Sequence, residues 1–251
     1  MPGILLRLTG PLQSWGSQSR FHLRDTAAYP TRSGLLGMLA AACGIPRGGD
    51  LGELAQLDFT VRVDRPGVRT LDFHTVGGGL PRDWTVPTAE GGRRPEGGAT
   101  IVTRRHYLAD AAFVAAVTGE TSVLERVLHA LAKPTWQPFL GRRSCPPEQP
   151  LSLGAIHDDA LAELLRVPIA RTAPRGADDV GIDVVGSRPF PQAAVTPART
   201  AIADDPVAST GGERGFRRRD VYVSTLRLPA RLCAGIGDLY LDRLATYLDG
   251  Q

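Results

Sequence analysis

The chain has 251 residues, 42% hydrophobic and 22% charged, with a formal net charge of +3. That balance marks a soluble globular protein of one large domain, or one domain with a smaller companion, around a real core. It excludes a helical membrane protein, because the longest apolar run, inside Tyr29–Ile45, falls short of the ~20 residues of a span.

The N-terminus lacks a basic segment followed by an apolar one, so no secretory signal is expected. The cysteines, Cys43, Cys145 and Cys233, are odd in number and widely spaced. They make neither a disulfide framework nor a zinc site, and a cytoplasmic location is expected. Of 29 basic residues all but Lys133 are arginine, a side chain that binds phosphate bidentately and stacks on bases.

In chain order, Ile4–Leu8 reads as a short buried strand and Thr9–Gly16 as a turn carrying Trp15. A helix is predicted over Ser33–Cys43, stopped by Gly44. Its start is unusual: Arg32 lies between two possible caps, Thr31 and Ser33, and Gly34 and Gly37 weaken the first turns. A helix N-terminus with a fixed positive charge suits a phosphate. Asp58–Asp64 alternates as a strand. Residues 67–100, rich in glycine and proline, predict a flexible lobe without a core of its own. Strands are predicted at Ile101–Tyr107 and Asp110–Val117. Leu124, Val127, Leu128 and Leu131 mark an amphipathic helix closed by Pro134, and Leu151–Ile156 is a further strand.

This order, βαββαβ with an insertion, predicts an α+β fold: a ferredoxin-like sheet shared with the RNA recognition motif, an inserted flexible lobe and a smaller C-terminal extension. Residues 1–156 form the domain like the RNA recognition motif in this reading, with the lobe at about 67–100. Residues 157–251 form the extension: a helix near Leu161–Arg166, a Pro/Gly/Asp-rich run to about Gly215, a strand at Arg218–Leu228, and a terminal helix with Leu241, Leu244 and Leu248 on one face.

Hydrolase, nucleotide-binding and zinc-protease signatures are absent. The histidines are scattered, and Asp158–Asp159, Asp178–Asp179 and Asp204–Asp205 read as solvated loop residues, so neither metal nor cofactor is expected. The loop Gly141-Arg142-Arg143-Ser144-Cys145 is either a surface turn or a phosphate-approaching basic loop. Flanking arginines could also activate Cys145 as a nucleophile, but no histidine is near in sequence. Arg104-Arg105-His106-Tyr107 is either the polar face of a hairpin or an RNA contact. Arg214–Asp220, with Phe216 interleaved, is the densest basic cluster. Trp15 plugs the end of the sheet. Trp84, in a lobe without a core, calls for a partner subunit or an unstacked base, with Arg93 and Arg94 nearby.

Taken together, LRLTGPLQSWG, YPTRSGLLGMLAAACGI, YLADAAF and PFLGRRSCPP resemble the CasD-type subunits of the type I-E CRISPR Cascade, over at least residues 4–156. The resemblance implies a non-catalytic, RNA-binding subunit whose lobe, at about 67–100, is a projecting thumb, and which grips the 5′ handle of the CRISPR RNA through Tyr29–Ser33 and Gly141–Cys145. It also implies contacts with the Cascade backbone and large subunits, and with target DNA only through the assembled complex. A related type I-C branch cuts precursor RNA without metal, using a tyrosine and a lysine–histidine pair. Tyr29 and Arg105–His106 make that chemistry an alternative, although arginine is too basic to shuttle protons.

Overall fold

The computed structural model describes residues 1–16, 22–79, 81–88, 90–96, 100–207 and 215–250. The first half runs β1 (Gly3–Thr9), β2 (Leu12–Gln13), β3 (Leu23–Arg24), α1 (Arg32–Ala42), β4 (Asp58–Arg65), β5 (Val68–Val76), β6 (Ile101–Ala109), β7 (Ala112–Thr118) and α2 (Thr121–Ala132). It is followed by α3 (Ala160–Leu164), β8 (Asp179–Gly186), β9 (Ala198–Val207), β10 (Gly215–Pro229) and α4 (Asp238–Asp249). The fold is mixed α+β, with predominantly antiparallel sheets and few helices.

Six strands form the main sheet in the order β1-β7-β4-β8-β10-β9, every pair antiparallel. The segment predicted as a strand at Leu151–Ile156 lies along the outer edge of β1. It makes two isolated bridges there, Leu6 with Ser152 and Gly3 with His157. Gly154, at φ +86°, breaks the extended backbone between those bridges.

β1 and β7 are buried along their whole length. Ile4, Leu6, Leu8, Phe113, Ala115 and Val117 join the core shared with α1 and α2; Leu5, Ala112, Val114 and Ala116 pack with α3 and α4 on the opposite face. A strand covered on both faces reads as a continuous apolar run, as these do.

One polar pair lies inside that second face. Arg62 and Asp64 of β4 are fully buried and paired at 2.6 and 2.9 Å. Arg62 also donates to the carbonyls of Leu164, Val167 and Pro168, and Asp64 accepts from Ala170 N–H at 3.1 Å. The pair is fully hydrogen-bonded and holds residues 164–170 against the sheet.

The second sheet is built around β6. β5 pairs along one edge in a nine-residue antiparallel register; β2 and β3 pair elsewhere along β6, β3 in parallel. This corrects two expectations. The strand at Ile101–Tyr107 leaves the main sheet, and the predicted coreless lobe opens with a regular strand, Val68–Val76, whose centre, Thr70–His74, alternates polar and apolar residues. A third correction lies in residues 166–215, where β8 and β9 replace the expected Pro/Gly/Asp-rich run. β8 pairs with both β4 and β10, so the sheet passes without a break from residues 1–156 into residues 157–251.

Candidate nucleic-acid interface

The start of α1 is occupied from within the chain. Thr31 caps it, accepting from Gly34 N–H at 3.3 Å. Asp204 of β9 accepts from Arg32 N–H at 2.7 Å, and Asp205 from Arg32 Nε at 3.0 Å. The Arg32 guanidinium also donates to the carbonyls of Ala55 and Leu57 and lies 5.5 Å from the Phe59 ring. Arg219 pairs with Asp204 and Arg217 with Asp205. The pair read as solvated loop residues is therefore largely buried, Asp204 being 1% exposed, because it caps a helix and neutralises three arginines. Burial would raise the Asp205 carboxyl, but hydrogen bonds and charge from Arg217 and Arg32 hold it below the usual carboxylate range.

Tyr29 stands beside this cluster, half-buried against the core. Burial and then the Asp204 charge push its hydroxyl pKa up, with Arg219 opposing. Ser33 is half-buried, 3.5 Å from the Thr31 hydroxyl. The two glycines of α1 differ. A Cβ on Gly34 would lie 2.7 Å from the Trp15 ring, whereas one on Gly37 would meet nothing within 4 Å beyond its own helix among the described residues. Trp15 is fully buried and donates to Gln13 Oε1 at 3.0 Å.

The loop Gly141–Cys145 folds against that same tryptophan turn. Gly141 has φ +82°, and a Cβ there would sit 1.8 Å from the Ser14 carbonyl oxygen, so only glycine fits. Arg142 lies 4.7 Å from the Tyr107 ring and donates to the carbonyls of Arg24 at 3.1 Å and Asp25 at 3.3 Å. Arg143 and Ser144 are exposed. Cys145 is buried, and burial raises its thiol pKa against the hydrogen bond from Ser144 and the charge of Arg142. It is a core residue, not an activated nucleophile.

On β6, Arg104 is exposed while Arg105 and His106 are half-buried. Arg105 Nε donates to Thr103 Oγ1 at 3.0 Å, and the His106 carbonyl accepts from Ser14 Oγ at 3.0 Å. Arg104 and Arg105 pair with Leu23 and Arg24 of β3, the strand that Arg142 clasps. The fold thus brings the 141–145 loop, β3 and β6 together, with Arg24, Arg104 and Arg143 exposed. Residues 29–33 lie at the start of α1, whose Gly34 faces the Trp15 ring, while Gly141 packs on the Ser14 carbonyl just before it. In the thumb, Trp84 is 75% exposed, Arg93 donates to the Thr85 carbonyl, and Arg94 is half-buried, its Nε without a hydrogen-bond partner among the described residues. Of the basic cluster at 214–220, Arg214 lies outside the described residues. Arg218 and Phe216 are exposed, and no described residue pairs with the Arg218 side chain. Among the described residues no cluster of histidine, cysteine or carboxylate side chains could hold a metal, and no helix is long and apolar enough to cross a membrane.

Sequence reasoning missed Leu23, Arg24, Phe73 and the Asp204–Asp205 lock. Only the alternation of polar and apolar residues over 70–74 could have signalled Phe73.

Comparison with known proteins places this geometry. The family model described as CRISPR-associated protein (Cas_Cas5) matches residues 3–222. The CRISPR system Cascade subunit CasD of Escherichia coli (strain K12) is 40% identical, over 60% of this chain and 70% of that protein. Among solved structures, a chain of a CRISPR RNA-guided surveillance complex is 46% identical with a TM-score of 0.85, covering 98% of this chain and 99% of that one. A second, described as a crystal structure of a Cas protein, is 30% identical with a TM-score of 0.60, over 94% of this chain and 98% of that one. The chain belongs to the CRISPR-associated Cas5 family.

Proposed function

We propose that this chain is the CasD-type subunit of an RNA-guided Cascade surveillance complex, binding the 5′ handle of CRISPR RNA and touching backbone and large subunits. The observation that carries this reading is the near-complete structural match, at 46% identity, to a chain of such a complex. Target DNA is met only through the assembled complex, and the chain itself performs no cleavage.

The sheet supports a ferredoxin-like core closed on its usual RNA-reading face. Its first four members, the 151–157 edge, β1, β7 and β4, follow the order 4-1-3-2 with the helices α1 and α2 on one side. The opposite face, which RNA recognition motifs present to bases, is filled by α3 and α4. RNA is therefore assigned to the flank, on the second sheet and the 141–145 loop. Arg104 and Arg143 contact phosphates there, with Arg105, His106 and Ser144 alongside. Tyr29, Thr31, Arg32, Ser33, Gly141, Arg142 and Cys145 shape the ground beneath, and Trp84, Arg93 and Arg94 belong to the thumb. Residues 1–156 carry the RNA contact, and residues 157–251 cover the sheet and brace α1.

The test is incubation of purified protein with its repeat RNA in EDTA, followed by assembly with the neighbouring gene products. A shifted, intact RNA that enters the complex is expected. Discrete cleavage abolished by His106→Ala would replace this reading with the ribonuclease.

A further inference from the structure

β10 is longer than its pairing with β8. The two strands pair over Tyr222–Pro229, so Gly215–Val221 pairs with β9 alone. Those residues make a two-stranded ribbon that runs ~23 Å past β8, at ~3.3 Å per residue. The register skips Asp204 between Arg217 and Arg218, so β9 carries one extra residue there. With that bulge Asp204 and Asp205 both reach the start of α1, and Arg217 and Arg219 pair with them on the same side. Alternation along the unbulged β10 then places Phe216, Arg218, Asp220 and Tyr222 on the opposite face. None of these four belongs to a core cluster. Phe216 is 42% exposed, and Arg218 is exposed with no carboxylate partner among the described residues. Arg199, opposite Tyr222, pairs with Asp220, but its side chain is 65% exposed. So open an ion pair holds little energy and yields readily to another anion. Among the described residues, the ribbon and the Arg32 it clasps set five guanidinium groups against three carboxylates.

We propose that the outward face of this ribbon, with Phe216, Arg218, Tyr222 and Arg199, binds a stretch of single-stranded nucleic acid separate from the one assigned to the 141–145 flank. Arg218 and Arg199 contact phosphates there, and Phe216 stacks on a base. Arginines interleaved with aromatic rings suit an unstacked strand, which offers anions and ring faces in repetition. A protein partner fits less well. Among the described residues of the ribbon, the exposed large apolar side chains are Phe216 and Val207 alone, and the cores of protein interfaces are depleted of charge. RNA and DNA strands share the chemistry that this face recognises, and the test separates them. The ribbon is a second contact, and its assignment does not depend on the flank being the first.

The experiment saturates the full-length chain with unlabelled repeat RNA and titrates it with fluorescein-labelled oligo-dT or oligo-U of ~12 nucleotides, a length within the usual range of single-strand sites. Anisotropy is expected to report binding of at least one of them, and the tighter one names the source as DNA or RNA. Arg218→Glu should weaken that binding about tenfold or more, the effect of one lost charge-assisted contact. Arg218→Gln should flatten the slope of log affinity against log salt by ~0.7, the share of one phosphate on a single strand. Phe216→Ala should weaken binding roughly tenfold, and Arg143→Glu on the flank should leave it unchanged. Melting midpoints confirm that the variants fold, and Arg218→Gln decides if Arg218→Glu does not. An oligonucleotide that repeat RNA displaces, yet that responds to Arg218→Glu and not to Arg143→Glu, identifies the strand as a continuation of that RNA. No binding, or binding that follows Arg143 instead of Arg218, overturns the ribbon assignment and leaves the flank reading intact. If Arg218→Glu spares every oligonucleotide but blocks assembly with the neighbouring gene products, the ribbon is a protein contact and the proposal falls. Repeat RNA that fails to bind while the oligonucleotides do removes the flank reading alone.

Discussion

Between Arg142 and Arg143 the backbone turns so that one guanidinium lies on the Tyr107 ring while its neighbour stands in solvent. A basic pair in sequence thereby divides into a brace and a contact. Arg142→Ala removes two hydrogen bonds to the 24–25 backbone and a cation–π contact, worth about 1–2 kcal/mol together. It should lower the melting midpoint by a few degrees and loosen RNA binding indirectly. Arg143→Glu should leave melting unchanged and reduce RNA binding in filter-binding assays, with a shallower salt dependence. Equal melting losses in both variants would return Arg143 to the scaffold. Asp205 supplies a pH signature. Its folded pKa lies below the unfolded value, so its stabilisation is full above about pH 4 and is lost as pH falls through the folded pKa. Melting followed from pH 6 to pH 3 should fall more steeply for the native chain than for Asp205→Asn, which starts lower and stays flatter.

Among the elements, β4 shows what a buried charge pair does for topology. Arg62 and Asp64 fasten the 164–170 segment to a sheet formed largely by the first half of the chain. Removing either partner leaves a buried charge unpaired, so Arg62→Ala or Asp64→Ala should each cost ~3–5 kcal/mol and lower the midpoint by roughly 10 °C. The double replacement Arg62→Met with Asp64→Leu removes both charges yet leaves three carbonyls and the Ala170 N–H without partners, so it should recover only part of that loss. Full recovery would show that the backbone contacts contribute little. The alternating Asp58–Asp64 segment made β4 legible in the sequence, and the 3.6-residue periodicity did the same for α2. β8 and β9 were not, because their glycines, proline and aspartates imitate a loop, and β8 also pairs with β4, at great distance along the chain. The same distance hid the site. The arginine of YPTRSG looked free because Asp204 and Asp205, which neutralise it, are 172 and 173 residues away. The 141–145 loop was visible locally, since its glycine and paired arginines sit together.

At the scale of the whole molecule, one sheet is shared by both halves of the chain while RNA is assigned to its flank. A fragment ending at residue 156 would expose the edge of β4, strip α3 and α4 from the second face and leave Arg62 without its carbonyls. It should therefore aggregate or fail to give a cooperative melting transition, and a soluble, cooperatively melting fragment would contradict this. The thumb behaves differently. None of the β5 residues belongs to the three core clusters, and Val68, Leu71 and Phe73 are exposed. Replacing residues 77–100 with a tight turn should consequently leave the melting midpoint within a few degrees. That independence makes β5 and the segment beyond it an exchangeable part. Selection for folding scarcely reaches these residues, so differences among relatives in this hairpin record the RNA and neighbours each one meets, and a hairpin from one relative could be transplanted onto the core of another.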